Sequence, residues 1–303
     1  MKILHRTCWC VLLLWLAVAT AQAASLKAVR KQVEASMLVT GRVTITQEGT
    51  VRDWTIDLRE KLPEAVANLV DAAVPGWRFE PILVDGRPAH GSARMSLLVV
   101  AQRLDEERFG LSIRDGYFGR EAVGLAANIH GGERRSEVDQ APPEDQVALI
   151  RGRPPTYPKV ALVAGVAGTV YIALRIGRSG QVEEAAVEQV NLRVLGTEGD
   201  MERMRAALTK PALAAARRWE FRPPTRGESA GAECWEVRMP VDYAIGGSRT
   251  AYGEWEAYLP GPRMLVPWRV EGLDSDVSPD TLVAGELRQM GMGLKLLSPI
   301  EGG

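Results

Sequence analysis

Apolar and polar side chains alternate in two similar stretches of the chain, residues 41–56 and residues 168–187. In the first stretch Val43 and Ile45 alternate with polar residues, and in the second Val170 and Ile172 do so. A period of two is that of a strand with one buried face. Each stretch contains a glycine-bearing turn near its middle, so the pattern predicts two β-hairpins, each with one apolar face.

Each hairpin is followed by an alanine-containing helical pattern that runs into a Trp-x-Phe-x-Pro motif. Rings spaced by two residues lie on the same side of an extended segment, so the motif indicates a helix that leads directly into a strand with both rings in the core. The motif consists of Trp77, Phe79 and Pro81 in the first copy and of Trp219, Phe221 and Pro223 in the second. The helices are predicted over residues 63–73 and 211–219, each opening with proline, and the returning strands over residues 93–101 and 233–244.

The chain therefore contains a β-β-α-β unit twice, and the predicted fold class is α+β, with each unit a small antiparallel sheet packed against one or two helices. The units span residues 37–102 and 151–246. The second is longer, and its extra residues are predicted to form a loop and an additional helical turn or two. Residues 103–150 form a linker with short strands. Residues 247–303 form a C-terminal extension whose Trp255, Tyr258 and Trp268 are too apolar to remain in water.

The N-terminus carries Lys2 and Arg6, then an apolar run, then the small-x-small sequence that ends at Ala23. These features predict a secretory signal peptide over residues 1–23. The apolar run is at the lower length limit for crossing a bilayer, so an uncleaved membrane anchor is the alternative.

The composition, 46% hydrophobic and 25% charged with a formal net charge of −1, suits two ordinary cores and does not indicate nucleic-acid binding. Beyond the signal peptide Cys234 is the only cysteine, which excludes a disulfide framework and predicts a small packed side chain. His90 and His130 have no partners at metal-ligand spacing, and no nucleophile or paired-carboxylate motif is present. We therefore expect no catalytic residues, no cofactor and no metal.

Residues 151–245 resemble the C-terminal domain of TonB-type energy transducers. The resemblance rests on a Tyr-Pro pair at residues 157–158, the Gly-x-Val hairpin, the helix that ends in Arg-Trp-x-Phe-x-Pro and a last strand of alternating apolar residues. The first unit is similar but lacks the Tyr-Pro pair.

The resemblance implies a periplasmic protein-binding module that pairs the last strand of its sheet with an extended peptide segment, such as that of an outer-membrane transporter. In the family the Tyr-Pro segment commonly reads Gln-Pro-Gln-Tyr-Pro, and both amide side chains are absent here. Pro240 also removes one backbone donor from the edge. The partner-binding residues that the resemblance implies are Pro155, Tyr157, Pro158, Glu236, Val237, Arg238, Met239, Val241 and Tyr243.

Two alternatives stay open. One is a true energy transducer held in the inner membrane by an uncleaved anchor, although the N-terminal apolar run has neither the Ser nor the His that such an anchor uses. The other is a structural envelope component whose sheets pair with each other or with a second copy of the chain as a homodimer. The edge of the last strand is either free or covered by the chain's own tail near residues 255–258, and its charged residues are expected to face water.

Overall fold

The computed structural model describes residues 29–30, 32–84, 86–103, 108–119, 143–247, 250–269 and 277–301. The predicted signal peptide and much of the predicted linker lie outside these ranges. The described residues form an α+β structure of three helices and thirteen strands in small antiparallel sheets. No helix among them is long and apolar enough to cross a membrane.

The helices are α1 (Glu64–Ala73), α2 (Lys159–Val163) and α3 (Glu198–Ala216). The strands are β1 (Glu34–Ile45), β2 (Val51–Ile56), β3 (Ile82–Val84), β4 (Arg87–Ala89), β5 (Gly91–Arg103), β6 (Phe109–Gly119), β7 (Ala148–Arg151), β8 (Gly168–Gly177), β9 (Val182–Leu192), β10 (Glu220–Arg222), β11 (Cys234–Tyr243), β12 (Glu256–Tyr258) and β13 (Arg288–Gln289).

The first sheet has the order β12-β1-β5-β6, and β2 also pairs with β1. Its predicted hairpin and returning strand are present, and the buried face packs on Val66 and Val70 of α1. Trp77 and Phe79 are buried beneath this helix and contact the ring of Phe118 edge to face. The strand β6 is 11 residues long, where the sequence predicted only short strands in this region.

The second sheet has the order β13-β11-β8-β9. Its buried face packs on α3, and Trp219 and Phe221 are buried in this core. The prediction that the helix begins at Pro211 was wrong. The helix begins 13 residues earlier, at Glu198, because Thr197 and Asp200 form a capping box there, and Pro211 lies within it.

The hairpin turns of the two units make the same contact with the extended Trp-x-Phe segment, which contains the strand β10 in the second unit and makes isolated β-bridges in the first. Gly49 has φ 79°, and a Cβ atom there would lie 2.0 Å from the carbonyl oxygen of Phe79. Gly180 has φ 78°, and a Cβ atom there would lie 2.0 Å from the carbonyl oxygen of Phe221. In each unit the Phe N–H donates to the glycine carbonyl at 2.8 Å. Only glycine fits both the backbone conformation and the space.

A second extended segment lies against the Trp-x-Phe segment in both units, but it comes from different parts of the chain. In the second unit β7 pairs with β10, Leu149 lies opposite Phe221, and the indole N–H of Trp219 donates to the Arg153 carbonyl at 3.0 Å. In the first unit Leu296 lies opposite Phe79, and the indole N–H of Trp77 donates to the Ile300 carbonyl at 3.0 Å.

The spacing from the leucine to the carbonyl that accepts from the indole is four residues in both segments. The C-terminal residues 294–300 therefore supply to the first unit what residues 147–153 supply to the second. The C-terminal extension is thus part of the first unit's structure.

The faces of the two sheets that point away from the helices both contact the C-terminal extension. On the first sheet the Ser96 hydroxyl donates to the Thr281 carbonyl, and on the second the Arg238 guanidinium donates to the Val277 carbonyl at 3.3 Å. Tyr258 is 5% exposed, whereas Trp255 is 36% exposed, so the expectation that Trp255 is covered was wrong. The extension therefore lies between the two sheets.

Candidate functional site: a strand edge and the cavity beside it

The predicted partner-binding residues of β11 divide between two faces of the sheet. The side chains of Val237, Met239, Val241 and Tyr243 point into the core beneath α3. Glu236 and Arg238 point to the other face, where the C-terminal extension covers them. The expectation that Arg238 faces water was wrong, because its side chain is 0% exposed.

The outer edge of β11 is occupied by the chain's own tail. One edge of β11 pairs with β8 along its whole length, and the other pairs with β13 at Val237 and Arg238. Two further backbone bonds flank this ladder, from Gly285 N–H to the Pro240 carbonyl at 3.1 Å and from Met290 N–H to the Glu236 carbonyl at 2.9 Å. The tail therefore covers this edge with residues 285–290.

The segment near residues 255–258, one of the two alternatives for this edge, pairs elsewhere. Residues Glu256–Tyr258 pair with Glu34–Ser36 of β1 in the first sheet. The carbonyl of Pro240 faces the outer edge of β11, so its missing N–H faces the same way. This position can accept from a partner strand but cannot donate to one.

The Tyr-Pro segment lies at the far end of β11 from the pairing with β13. The ring of Tyr157 contacts that of Tyr243 edge to face, with centroids 5.3 Å apart, and its hydroxyl donates to the Val166 carbonyl. Pro158 is the N-cap residue of the short helix α2, and Pro155 is half-buried. Burial raises the pKa of Tyr157, so this phenol stays protonated as a donor. The structure thus brings Tyr157 and Tyr243 together but not Tyr157 and Glu236.

A buried ion cluster fastens the extension to the face of the second sheet. Glu188 accepts from Arg238 Nε at 2.6 Å and from Arg269 at 2.8 Å, and Arg269 also pairs with Glu236. Burial alone would raise the pKa of Glu188, but the two guanidinium groups lower it below its ordinary value. Sequence reasoning missed this cluster, because Glu188 and Arg269 are 81 residues apart.

A cavity of about 420 Å³ lies between the two sheets, beside the end of β11 that carries Asp242. Arg193 reaches across its wall, pairing with Asp242 and, at 3.0 Å, with Glu256. On the first sheet Arg94 makes a bidentate ion pair with Asp57. No pattern in the sequence pointed to this cavity, because residues from both units and from the extension form its wall.

Two remaining expectations concern metals and the cysteine. Among the residues that the structure describes, no cluster of three or more His, Cys, Asp or Glu side chains could hold a metal ion. Cys234 is exposed at the first position of β11, so the prediction that it is a packed side chain was wrong. It lies just beyond the ladder that β13 forms.

Comparison of the chain with protein-family models, with curated proteins and with solved structures found no match.

Proposed function

We propose that this chain is a non-catalytic protein-binding module of the cell envelope that pairs the outer edge of β11 with an extended peptide segment. The observation that carries the proposal is the tail on that edge. Residues 285–290 are already bound there as a short antiparallel strand. Pairing of this kind draws its affinity from backbone hydrogen bonds and makes little demand on sequence.

On this proposal the two units are tandem TonB-C-terminal-like domains, and the N-terminal run directs the chain to the periplasm. The partner is then an extended segment of an envelope protein such as an outer-membrane transporter. The identical turn contacts of Gly49 and Gly180 support a repeated fold. The resemblance of residues 151–245 supports the choice of partner.

A partner strand would have to displace the tail from β11. The ladder that it would replace spans only the two residues of β13, with one flanking backbone bond on each side. Two side chains also stabilise the tail in this position. Gln289 accepts from Val147 N–H at 2.9 Å, and Arg288 lies over the Tyr117 ring. A longer partner strand would make more backbone bonds than this ladder does.

The test weakens the tail without touching β11. Met290→Pro removes the N–H that donates to Glu236, whereas Met290→Ala at the same position keeps it. One lost hydrogen bond of about 0.5–1.5 kcal/mol should raise peptide affinity about three- to tenfold in the proline variant and leave the alanine variant like the wild type. The affinities are measured by fluorescence anisotropy with labelled peptides from the N-terminal segments of outer-membrane transporters.

Amide NMR shifts of β11 locate the binding site on the protein. If no peptide binds either variant or shifts the β11 amides, the proposal is wrong. If the proline variant instead forms dimers through β11, the edge pairs with a second copy and the structural alternative is correct.

A further inference from the structure

One wall of the cavity between the sheets carries a buried carboxylate without a counter-charge. Asp280 is 6% exposed and accepts from the Tyr258 hydroxyl at 2.9 Å and from the Ser278 hydroxyl. Within the described part of the chain it makes no ion pair, and Arg114, whose charge acts on it at longer range, is paired with Glu34. Buried charges in proteins are normally paired, so this arrangement favours a cation in the cavity.

A second polar group faces the cavity beside Asp280. Tyr171 lies on β8 between Val170 and Ile172, which point into the core beneath α3, so its ring points to the opposite face. This residue is 6% exposed and lines the cavity together with Asp280. Burial and the nearby carboxylate of Asp280 raise the pKa of Tyr171, so the hydroxyl is protonated at neutral pH.

The basic residues of the wall are already neutralised. Arg94 is held by Asp57, Arg193 by Asp242 and Glu256, and Arg288 by Glu286. An anionic ligand would therefore have to break an existing ion pair, whereas a cation would meet the uncompensated charge of Asp280. The absence of a three-ligand cluster in the described residues favours an organic cation over a metal ion.

We propose that this cavity binds a small organic molecule with a primary ammonium group, held by the Asp280 carboxylate and the Tyr171 hydroxyl. An ammonium group offers three N–H donors and no acceptor, which matches a carboxylate and a phenol oxygen. The apolar part of the ligand contacts Leu38 and Leu282 on the cavity wall. The volume is within the range of about 300–1,000 Å³ that is usual for small-molecule sites.

The experiment is an NMR titration of the full chain with three small probes. Hexylammonium should bind and shift the amides of the cavity wall. The uncharged 1-hexanol should bind at least about tenfold more weakly, because it lacks the charge-assisted hydrogen bond. Tetramethylammonium, which has the charge but no N–H donor, should also bind more weakly.

Two substitutions identify the groups that hold the ammonium. Asp280→Asn keeps the shape of the side chain but only one acceptor oxygen, since Tyr258 donates to Oδ2 and Ser278 to Oδ1. Because it removes the negative charge, it should reduce hexylammonium affinity about tenfold or more. Tyr171→Phe keeps the ring and should reduce the affinity severalfold. Glu183→Gln, a substitution of an exposed carboxylate outside the cavity, is the matched control and should leave the affinity unchanged.

Equal binding of hexylammonium and 1-hexanol would overturn the proposal, as would no binding at all or an unchanged affinity in Asp280→Asn. If Asp280→Asn does not fold, the affinity of Tyr171→Phe alone tests the site, because this variant retains the packing of the ring. An unchanged affinity in Tyr171→Phe then refutes the proposed site. The titration uses no peptide and does not depend on the edge of β11. Failure of this proposal is therefore distinct from failure of the peptide-binding proposal.

Discussion

The equivalence of residues 147–153 and residues 294–300 predicts the outcome of four matched substitutions. Leu149 and Leu296 occupy the same place opposite the phenylalanine of their unit, and both point to its core. Their neighbours Ile150 and Leu297 are 56% and 59% exposed and point outward. Alanine at the two inward positions should destabilise the protein, whereas alanine at the two outward positions should not.

The magnitudes follow from burial. Leu149 is 3% exposed, so its truncation should cost about 2–5 kcal/mol of unfolding free energy through lost contacts and the cavity left behind. Leu296 is only partly buried against its core, so its truncation should cost less, about 1–2 kcal/mol. Truncating Ile150 or Leu297 should change stability by less than about 0.5 kcal/mol.

Urea denaturation measures the free energies, and native-state hydrogen exchange shows which unit loses protection. Leu149→Ala should expose the amides of β8 and β11, whereas Leu296→Ala should expose those of β1 and β5, far from it in sequence. If Leu296→Ala and Leu297→Ala behave alike, the C-terminal segment is not a structural part of the first unit, and the reasoning from the shared geometry fails.

Three further predictions test the second unit. Gly180→Ala should cost about 1–3 kcal/mol in thermal denaturation, whereas Gly165→Ala, which also has a positive φ but nothing within 4 Å of its Cβ, should cost less. Glu188→Gln should cost about 3–5 kcal/mol in urea by leaving the charge of Arg238 without full compensation, and a result below about 1 kcal/mol would contradict this. Trp219→Ala should cost about 3–5 kcal/mol by emptying a core site, and an unchanged urea midpoint would mean that the indole is not structural.

The hairpins and the buried Trp-x-Phe pairs could be predicted because their signals are local. Alternation with a period of two fixes which side of a strand is buried, whatever the rest of the chain does. The start of α3 was predicted wrongly because two local helix-start signals compete in this part of the chain. Pro211 is typical of the first turn of a helix, but the capping box of Thr197 and Asp200, a second local signal, starts 14 residues before it.

The pairing of the tail could not be predicted, because its elements are too short to produce a pattern. The strand β13 has two residues, and its position depends on the edge that β11 leaves open. Alternation also placed Arg238 on a face expected to be solvated. A strand pattern distinguishes the two faces of a sheet, but it does not show whether a distant segment covers the polar one.

Displacement of the tail from β11 need not dismantle the first unit, because the tail binds the two units through separate segments. Residues 285–290 lie on β11, and residues 294–300 lie against the segment of Trp77 and Phe79. Between them Gly293 has φ 136°, and a Cβ atom there would lie 2.1 Å from the Phe118 carbonyl, so the chain is fixed to the first sheet immediately before Leu294. Leu294 N–H then donates to that same carbonyl at 2.8 Å. A partner strand on β11 therefore competes with the backbone pairing of residues 285–290 and with the side-chain contacts of Arg288 and Gln289. The segment that completes the first unit keeps its own contacts.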